Sequence, residues 1–465
     1  MTSNDMASSY SSELVNPWNG HGPCQNLTMR IAIDSLARQI SGTAPSSING
    51  ADTIAGASID SRALLPGQAF FAIVAERDGH EFVASAFGAG ASVAVVEHLV
   101  PEVDGLQLVV GDTVAAPTHA GRLARSHLGG PVIGITGSVG KTSTKDMLNA
   151  ICAKAGVTTA SEKSLNNELG VPLTLLNAAD DTQRTIVEMG ARGIGHIAWL
   201  CSIAEPTIAV LTVVGAAHLG EFGSIEAIAA GKSELVASLD AHGVAVLNAD
   251  DERVLAMKSC CSGEVITYGE AGEVRASGLI VDDQLRTRFD LITPWGEVPV
   301  QLNVRGVHQV SNALAAAAAA CVSGVTLEQI ADGLADSQLS PWRMEVFESL
   351  AGGTVINDSY NANPVSMVAA LRSLATLDAQ RKTAVVGLMA ELGPSTADEH
   401  RRIAELARSL GIDVIAVGTD LYSVPVFATT EDAIEQLKPP GSDEACLIKA
   451  SRVAGLEALA DAWRA

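Results

Sequence analysis

The chain has 465 residues, 47% hydrophobic but only 4% aromatic, which supplies aliphatic side chains for several α/β cores and is too much chain for one small core. Its 30 basic and 53 acidic residues leave a formal charge of −23, which excludes a broad phosphate-neutralising surface for nucleic acid or acidic lipid, so a polyanionic ligand has to meet a local basic cluster. The seven cysteines are scattered without a C-x-x-C pair and read as reduced thiols of a cytosolic enzyme, and no apolar run reaches the ~18 residues of a membrane span.

Residues 1–28 are rich in Ser, Asn and Gly and lack the basic and apolar regions of a signal peptide, so they read as a disordered tail. "MRIAIDSLARQI" then begins an amphipathic helical pattern at Met29. The region 29–126 has its own elements, among them "GQAFFAIVAERDGHEF" and "ASVAVVEH". From Pro131 onward, short apolar runs ("PVIGITG", "RTIVEMG", "PTIAVLTVVGAAH", "VAVLNADD") alternate with helical patterns. That rhythm belongs to parallel β-α units, whose strands are buried on both faces and whose ligands sit at the strand C-termini. "ALAAAAAACVSGV" reads as an Ala-rich helix ended by Gly324. After "LSPWRMEVF" the pattern restarts with "GTVINDSYNANP", "TAVVGLMAELG", "DVIAVGTD" and "ACLIKASR", a smaller α/β domain of four or more strands. The expected domains are therefore 29–126, 127–339 and 340–465.

"GITGSVGKTSTKDML", Gly134 to Leu148, starts as a buried strand and ends as a helix. Gly137 and Gly140 permit a backbone nest, whose N–H groups and helix N-terminus hold phosphate oxygens; Lys141 reaches the β/γ phosphates and the Thr142 hydroxyl is a Mg²⁺ ligand. Ile135 stands where the strict G-x-x-x-x-G-K-[ST] pattern has its first Gly. Glu188 ends the next apolar run, where a carboxylate is either a Mg²⁺ ligand or a solvated rim residue. His218 closes the following run and Lys232 lies in the helical "SIEAIAAGKSELV"; both gain weight only together with the phosphate loop. In "INDSYNANP", Asp358 follows a strand, while Asn361, Asn363 and Pro364 make turn chemistry whatever the function. Arg343 lies just past the domain boundary, where a hinge would let it swing onto a nucleotide.

These residues, with "IDSRALLPGQAFFAI", "DGHEF", "NNELGVPLTLL", "VEMGARGIGHI", "HLGEFGSIEAIAAGKSEL", "LNADD", "GVHQVSNALAAA", "DSYNANPVSMVAAL" and "AELG" in order from about residue 55, resemble the Mur ligase family. The resemblance implies a three-domain α/β architecture: a central P-loop parallel-sheet ATPase domain, an N-terminal domain binding a UDP-sugar peptide and a C-terminal Rossmann-like domain. It implies ATP-dependent amide ligation through an acyl phosphate, in cytoplasmic peptidoglycan precursor synthesis, by a monomer that binds neither nucleic acid nor membrane. "DSYNANPVSM" with "NNELGVP" points within the family to the member that joins D-alanyl-D-alanine to UDP-N-acetylmuramoyl-tripeptide. Carried over, Gly137, Ser138, Val139, Gly140, Lys141, Thr142 and Ser143 bind ATP, with Asn312, Arg343, Asp358 and Asn361 as further nucleotide contacts. Thr142, Glu188, His218 and Lys232 serve two Mg²⁺ ions, with Lys232 carbamylated so that a cation becomes an anionic ligand; Lys141, Glu188, His218 and Lys232 form the catalytic set. Ser61, Arg62, Asn166, Asn167 and Arg192 match the UDP-sugar side.

Three positions depart from the family pattern. Gln309 replaces Asn in an "HN" pair, where its amide could still reach an adenine edge; Leu388 replaces Asp in "GDMLELG"; Ala450 replaces Gly in "KGSR". Competing with this activity are another amide ligase of the same architecture, either the diaminopimelate-adding member or a folylpolyglutamate synthetase, and a P-loop switch or scaffold. The chain lacks the "DNPR" segment of the diaminopimelate-adding member.

Overall fold

A computed structural model of the protein describes residues 28–44, 48–215 and 219–465; of the expected tail 1–28 all but Thr28, and the candidate ligand His218, lie outside the described residues, and Thr28 is not tail but forms an antiparallel bridge with Ala179. The chain divides into two compact units: one takes the residues up to Val132 with Gly156–Met189 and Trp199–Glu205, the other Ile133–Ala155, Gly190–Ala198 and Pro206–Ala465.

In the first unit, four parallel strands lie in the order Ala57–Ser58, Ala69–Phe71, Val93–Val96, Gln107–Val109. Phe70, Val83, Ala86, Ala94 and Val96 pack on one of its faces. The amphipathic pattern from Met29 is not all helix: Arg30–Ala32 pairs antiparallel with Thr53–Ala55, and the helix runs only over Ile33–Gln39. Met29 and Ile31 are buried and Arg30 is exposed, a period of two that fits strand pairing and overrides the helical reading of the same letters. Two further strands, Thr158–Ala160 and Arg184–Glu188, pair in parallel, and "GVPLTLL" forms the helix Gly170–Leu176.

The second unit holds parallel strands in the order Glu264–Tyr268, Val244–Asn248, Ile208–Leu211 and Val132–Thr136, the last entering the unit at Ile133. The last three are apolar runs buried along most of their length, as the β-α rhythm requires, while Glu264–Tyr268 at the edge buries only Ile266 and Tyr268. An antiparallel sheet interrupts that rhythm: Arg275–Val281, Arg286–Thr293 and Gly296–Arg305, with Thr287, Phe289 and Leu291 turned inward at alternate positions. The alanine run forms the helix Gln309–Val322, ended at Gly324 with φ +81°.

The C-terminal part is a six-stranded sheet ordered Glu345–Glu348, Thr354–Asn357, Glu444–Lys449, Arg381–Val386, Asp413–Val417, Val426–Phe427, parallel except at its first pair. Successive residues point to opposite cores: Ile356, Ala384, Val386, Ala445 and Leu447 join one, while Val355, Val385, Cys446 and Ile448 join the other. Helices therefore cover both faces, and the C-terminal ends of the strands are left to present functional groups.

Candidate active site

The expected phosphate loop follows the fully buried strand Val132–Thr136. Gly137 has φ +152°, and a Cβ there would lie 1.8 Å from Thr212 Oγ1; at Gly140, with φ +88°, it would lie 2.3 Å from Asn312 Oδ1. Both positions therefore require glycine, one for a neighbouring hydroxyl and the other for both a left-handed backbone and a neighbouring amide. Gly140 begins the helix Lys141–Ala153, which has no side-chain cap and no acid in its first turn. Its first N–H groups and the positive end of its dipole are thus available to an anion.

Lys141 folds over the loop, Nζ donating to the Gly137 carbonyl at 2.9 Å. The Ser138 hydroxyl donates to Gly215 O at 3.0 Å and accepts from Gly215 N at 2.9 Å, so it braces the loop against the segment after Ile208–Leu211. Thr212 Oγ1 donates to Val139 O at 2.5 Å. Thr142 and Ser143 are buried on the helix, and Thr142 Oγ1 accepts from Arg343 Nη2 at 3.0 Å. The Arg343 guanidinium also stacks on Tyr360, 4.0 Å from the ring centroid, while its Nε is buried without a partner among the described residues. From the Ala-rich helix, Asn312 Oδ1 accepts from Thr144 Oγ1 at 3.4 Å, and Asn312 Nδ2 donates to Gln309 Oε1 at 2.7 Å.

At the strand ends of the C-terminal sheet, Lys449 is 2% exposed and its ammonium donates to Asp358 Oδ2 at 2.5 Å and to the Asn361 carbonyl at 2.8 Å. Asp358 Oδ1 accepts from Met344 N at 3.1 Å, which ties this turn to the residue after Arg343. The Asn361 side chain accepts from Ala362 N at 2.8 Å, and Asn363 caps the helix Pro364–Thr376.

Lys232 lies on the helix Ile225–Ala237, which Ser224 caps. It is 2% exposed. Burial, and then the charge of Lys141, hold its amine well below the ordinary lysine range. In the first unit Glu188 is 1% exposed; Oε1 accepts from Asn166 Nδ2 at 2.8 Å, and Oε2 is buried with no partner among the described residues.

Comparison with known proteins fits this geometry. The Mur ligase middle domain matches residues 135–320, and the glutamate ligase domain of Mur ligases matches 342–464. A relative from Mycobacterium tuberculosis, named UDP-N-acetylmuramoyl-tripeptide--D-alanyl-D-alanine ligase, is 39% identical over 87% of this chain and 91% of its own. The chain belongs to the Mur ligase family. Among solved structures, MurF from Acinetobacter baumannii superposes with a TM-score of 0.84 at 33% identity, covering 94% of this chain and 99% of that one. MurF of Thermotoga maritima, solved in complex with ADP, gives 0.76 at 26% identity over 88% of this chain and 96% of that one.

Within the second unit of this Mur ligase, the structure brings Lys141, Thr142, Asn312 and Arg343 together around the loop, joins Asp358 to them through Met344, and ties Asn361 to Asp358 through Lys449. On the expected UDP-sugar side, Arg62 is an exposed cation paired with Asp60 at 2.8 Å, and Ser61 beside it is half-buried. Asn167 Oδ1 accepts from Gly170 N at 3.0 Å, so its carbonyl oxygen already starts the helix Gly170–Leu176. Arg192, in the second unit, is exposed. The expected reach of Gln309 to an adenine meets a competing use: it is 3% exposed and its carbonyl is bonded to Asn312. Ala450 packs closely on Gly387: a Cβ at 387 would lie 2.8 Å from the Ala450 methyl. Leu388 contributes a backbone carbonyl that accepts from Ser451 N at 2.9 Å.

Sequence reasoning missed Asp146, Ser340, Tyr360, His308 and Lys449 as members of this network. Lys449 carried a signal, a charge ending an otherwise buried strand, which is the same pattern that singled out Glu188.

Proposed function

We propose that the chain is an ATP-dependent ligase that joins D-alanyl-D-alanine to UDP-N-acetylmuramoyl-tripeptide, the activity for which its 39% identical relative is named. The observation that carries it is the hydrogen bond from Arg343 to Thr142 at 3.0 Å: an arginine of the segment matching the ligase domain is set on the phosphate loop of the segment matching the middle domain. The nucleotide is thereby gripped by both segments, as a reaction that carries a phosphoryl group to a second substrate requires.

In this reaction the tripeptide carboxylate attacks the γ-phosphate and ADP leaves as the bond between the β and γ phosphates breaks; the dipeptide amine then attacks the acyl carbon, loses a proton, and inorganic phosphate leaves as the amide forms. No protein nucleophile is needed; the protein has to orient the reactants and stabilise charge on phosphoryl oxygens. Lys141 and the uncapped N–H groups of its helix hold the β and γ phosphates. Arg343 leaves the Thr142 hydroxyl for a phosphate oxygen, and Asn312, Asp358 and Asn361 bound the nucleotide.

Mg²⁺ fits the donors by their chemistry. Glu188 offers a buried, unpartnered carboxylate oxygen in the first unit, and Thr142 offers a hydroxyl in the second. A neutral amine at Lys232 is the form that adds CO₂, and the carbamate so formed supplies an anionic oxygen where an ammonium would repel a metal. When bound, Mg²⁺ neutralises charge on the transferring phosphoryl group. His218, outside the described residues, is kept as a further proposed ligand. Ser61, Arg62, Asn166, Asn167 and Arg192 are proposed for the UDP-sugar peptide, and residues 29–126 for its binding domain. No helix of the described residues is long and apolar enough to cross a membrane. The enzyme would act as a monomer in the cytoplasm.

Phosphate release with ATP, UDP-N-acetylmuramoyl-tripeptide and each candidate amine tests this. D-alanyl-D-alanine should trigger turnover, while meso-diaminopimelate, L-lysine and glutamate should not; glutamate with a folate driving release in its place would make the chain a folylpolyglutamate synthetase.

A further inference from the structure

The segment that delivers Arg343 is fastened to the phosphate-loop helix at two points. Asp146 Oδ2 accepts from both the Ser340 backbone N–H at 2.7 Å and the Ser340 hydroxyl at 2.8 Å, and three residues later Arg343 donates to Thr142. Thr142 and Asp146 are four residues apart on the helix Lys141–Ala153, hence on one face and one turn apart. The linker therefore lies along that face, pinned at Ser340 and again at Arg343.

The backbone between and beyond the pins is strained. Trp342 has φ +61° and Met344 φ +50°, so Arg343 is flanked by two bulky residues in the left-handed region, where such residues are rare. Strain of this kind persists only where surrounding contacts over-determine it. Here they are the Tyr360 N–H to the Trp342 carbonyl at 3.1 Å, the Arg452 guanidinium 4.1 Å above the Trp342 ring, and Met344 N–H to Asp358. Asp146 adds the contact upstream of the strained pair. Its side chain is 12% exposed, and its other oxygen meets Lys145 Nζ at 2.9 Å, so the carboxylate is oriented by its own helix as well as by the linker.

We infer that Asp146 is a positioning residue of the ligase: through Ser340 it sets the register in which Arg343 reaches the phosphate loop. Asp146 does not itself touch the nucleotide. The inference rests on Arg343 serving the nucleotide, and its test separates the two.

Affinity for a fluorescent ATP analogue, with KM for ATP and kcat, is measured for Asp146→Ala, Ser340→Ala, Arg343→Ala and the combinations with Arg343→Ala. Asp146→Ala should weaken nucleotide binding about tenfold, the effect of losing two hydrogen bonds to a charged acceptor after partial relaxation. Ser340→Ala keeps the backbone donor and the Lys145 pair, so it should weaken binding about threefold with an unchanged melting temperature; it stands in if Asp146→Ala fails to fold. In the Arg343→Ala background, both substitutions should change affinity less than twofold, because the group they position is gone. If they are fully additive with Arg343→Ala, or if neither alters affinity in the parent, the positioning role is overturned while the role of Arg343 stands. If Arg343→Ala itself binds nucleotide normally, the nucleotide role of Arg343 falls and the inference falls with it.

Discussion

Acidification from pH 7 to pH 5 should cost this fold about 2 kcal/mol through one side chain, His308. Burial pushes its imidazole down to about 4, with Lys449 adding to that and Asp358 opposing it. The geometry gives the reason. Gln309 Nε2 approaches His308 Nε2 at 3.3 Å as a donor, and His308 Nδ1 is buried with no partner among the described residues, so a second ring proton would meet no acceptor among them. With an ordinary value near 6.5 in the unfolded chain, the unfolded state takes up the proton first as pH falls. Stability is therefore lost from about pH 6.5 downward, and the loss saturates below about pH 4. At pH 5 the unfolded form is almost fully protonated at this site and the folded form about one-tenth so, a difference of about 1.5 logarithmic units at ~1.4 kcal/mol each, against ~0.2 kcal/mol at pH 7. The ring C–H resonances of His308, assigned by loss in His308→Gln, report the titration directly. Urea unfolding of the parent and of His308→Gln at both pH values gives the linked stability. A resonance titrating at pH 6 or above, or an equal pH dependence of stability in parent and variant, would refute the reasoning.

Lys141→Ala should lower the ligation rate by about 10²-fold or more while leaving the melting temperature near the parent's, since it removes the loop's cation and no core contact; near-normal turnover in the folded variant would remove the phosphate-loop assignment. Lys232→Ala should be nearly inactive and partly restored by acetate or another short-chain acid, which fits a carbamate, whereas restoration by a short-chain amine would mean that the site supplies positive charge. Gly140→Ala should lose about 1–3 kcal/mol of stability, from φ +88° and from a methyl 2.3 Å from Asn312 Oδ1, together with nucleotide affinity; an unchanged urea midpoint would contradict the loop geometry.

The strand, glycine turn and helix around Lys141 were legible because their geometry is local: a buried run, two glycines, a lysine and a helix start fix it within a dozen residues. The doubly wound C-terminal sheet was legible too, since "TVIN", "TAVV" and "CLIK" are apolar runs that alternate between two cores. Asp146 was not. The helical period puts it on the face of Thr142, but nothing near it in the sequence says that Ser340, 194 residues on, covers that face. Arg343 could be suspected from its place after the boundary, yet the positive φ of its neighbours depends on contacts with Tyr360, Asp358 and Arg452, which no local propensity encodes. The sheet from Arg275 to Arg305 was overlooked although Arg286–Thr293 alternates cleanly, because a β-α rhythm had been established on both sides of it. At Arg30–Ala32, a strand too short to show two full periods was absorbed into the helix after it.

The distance in sequence between Thr142 and Arg343, 201 residues, also sets a timetable for synthesis. At roughly 5–20 residues per second the ribosome makes the phosphate-loop helix about 10–40 s before the arginine that meets it. Throughout that interval a nascent chain has an uncapped helix end and a glycine loop but neither Ser340 nor Arg343, and until late in it lacks Asn312 as well. The proposed set of nucleotide contacts in the second unit is therefore complete only in a chain that has already closed this 201-residue loop. Chains cut short before Ser340 should carry the motif and bind nucleotide poorly, so in this protein nucleotide affinity is a late marker of completed folding.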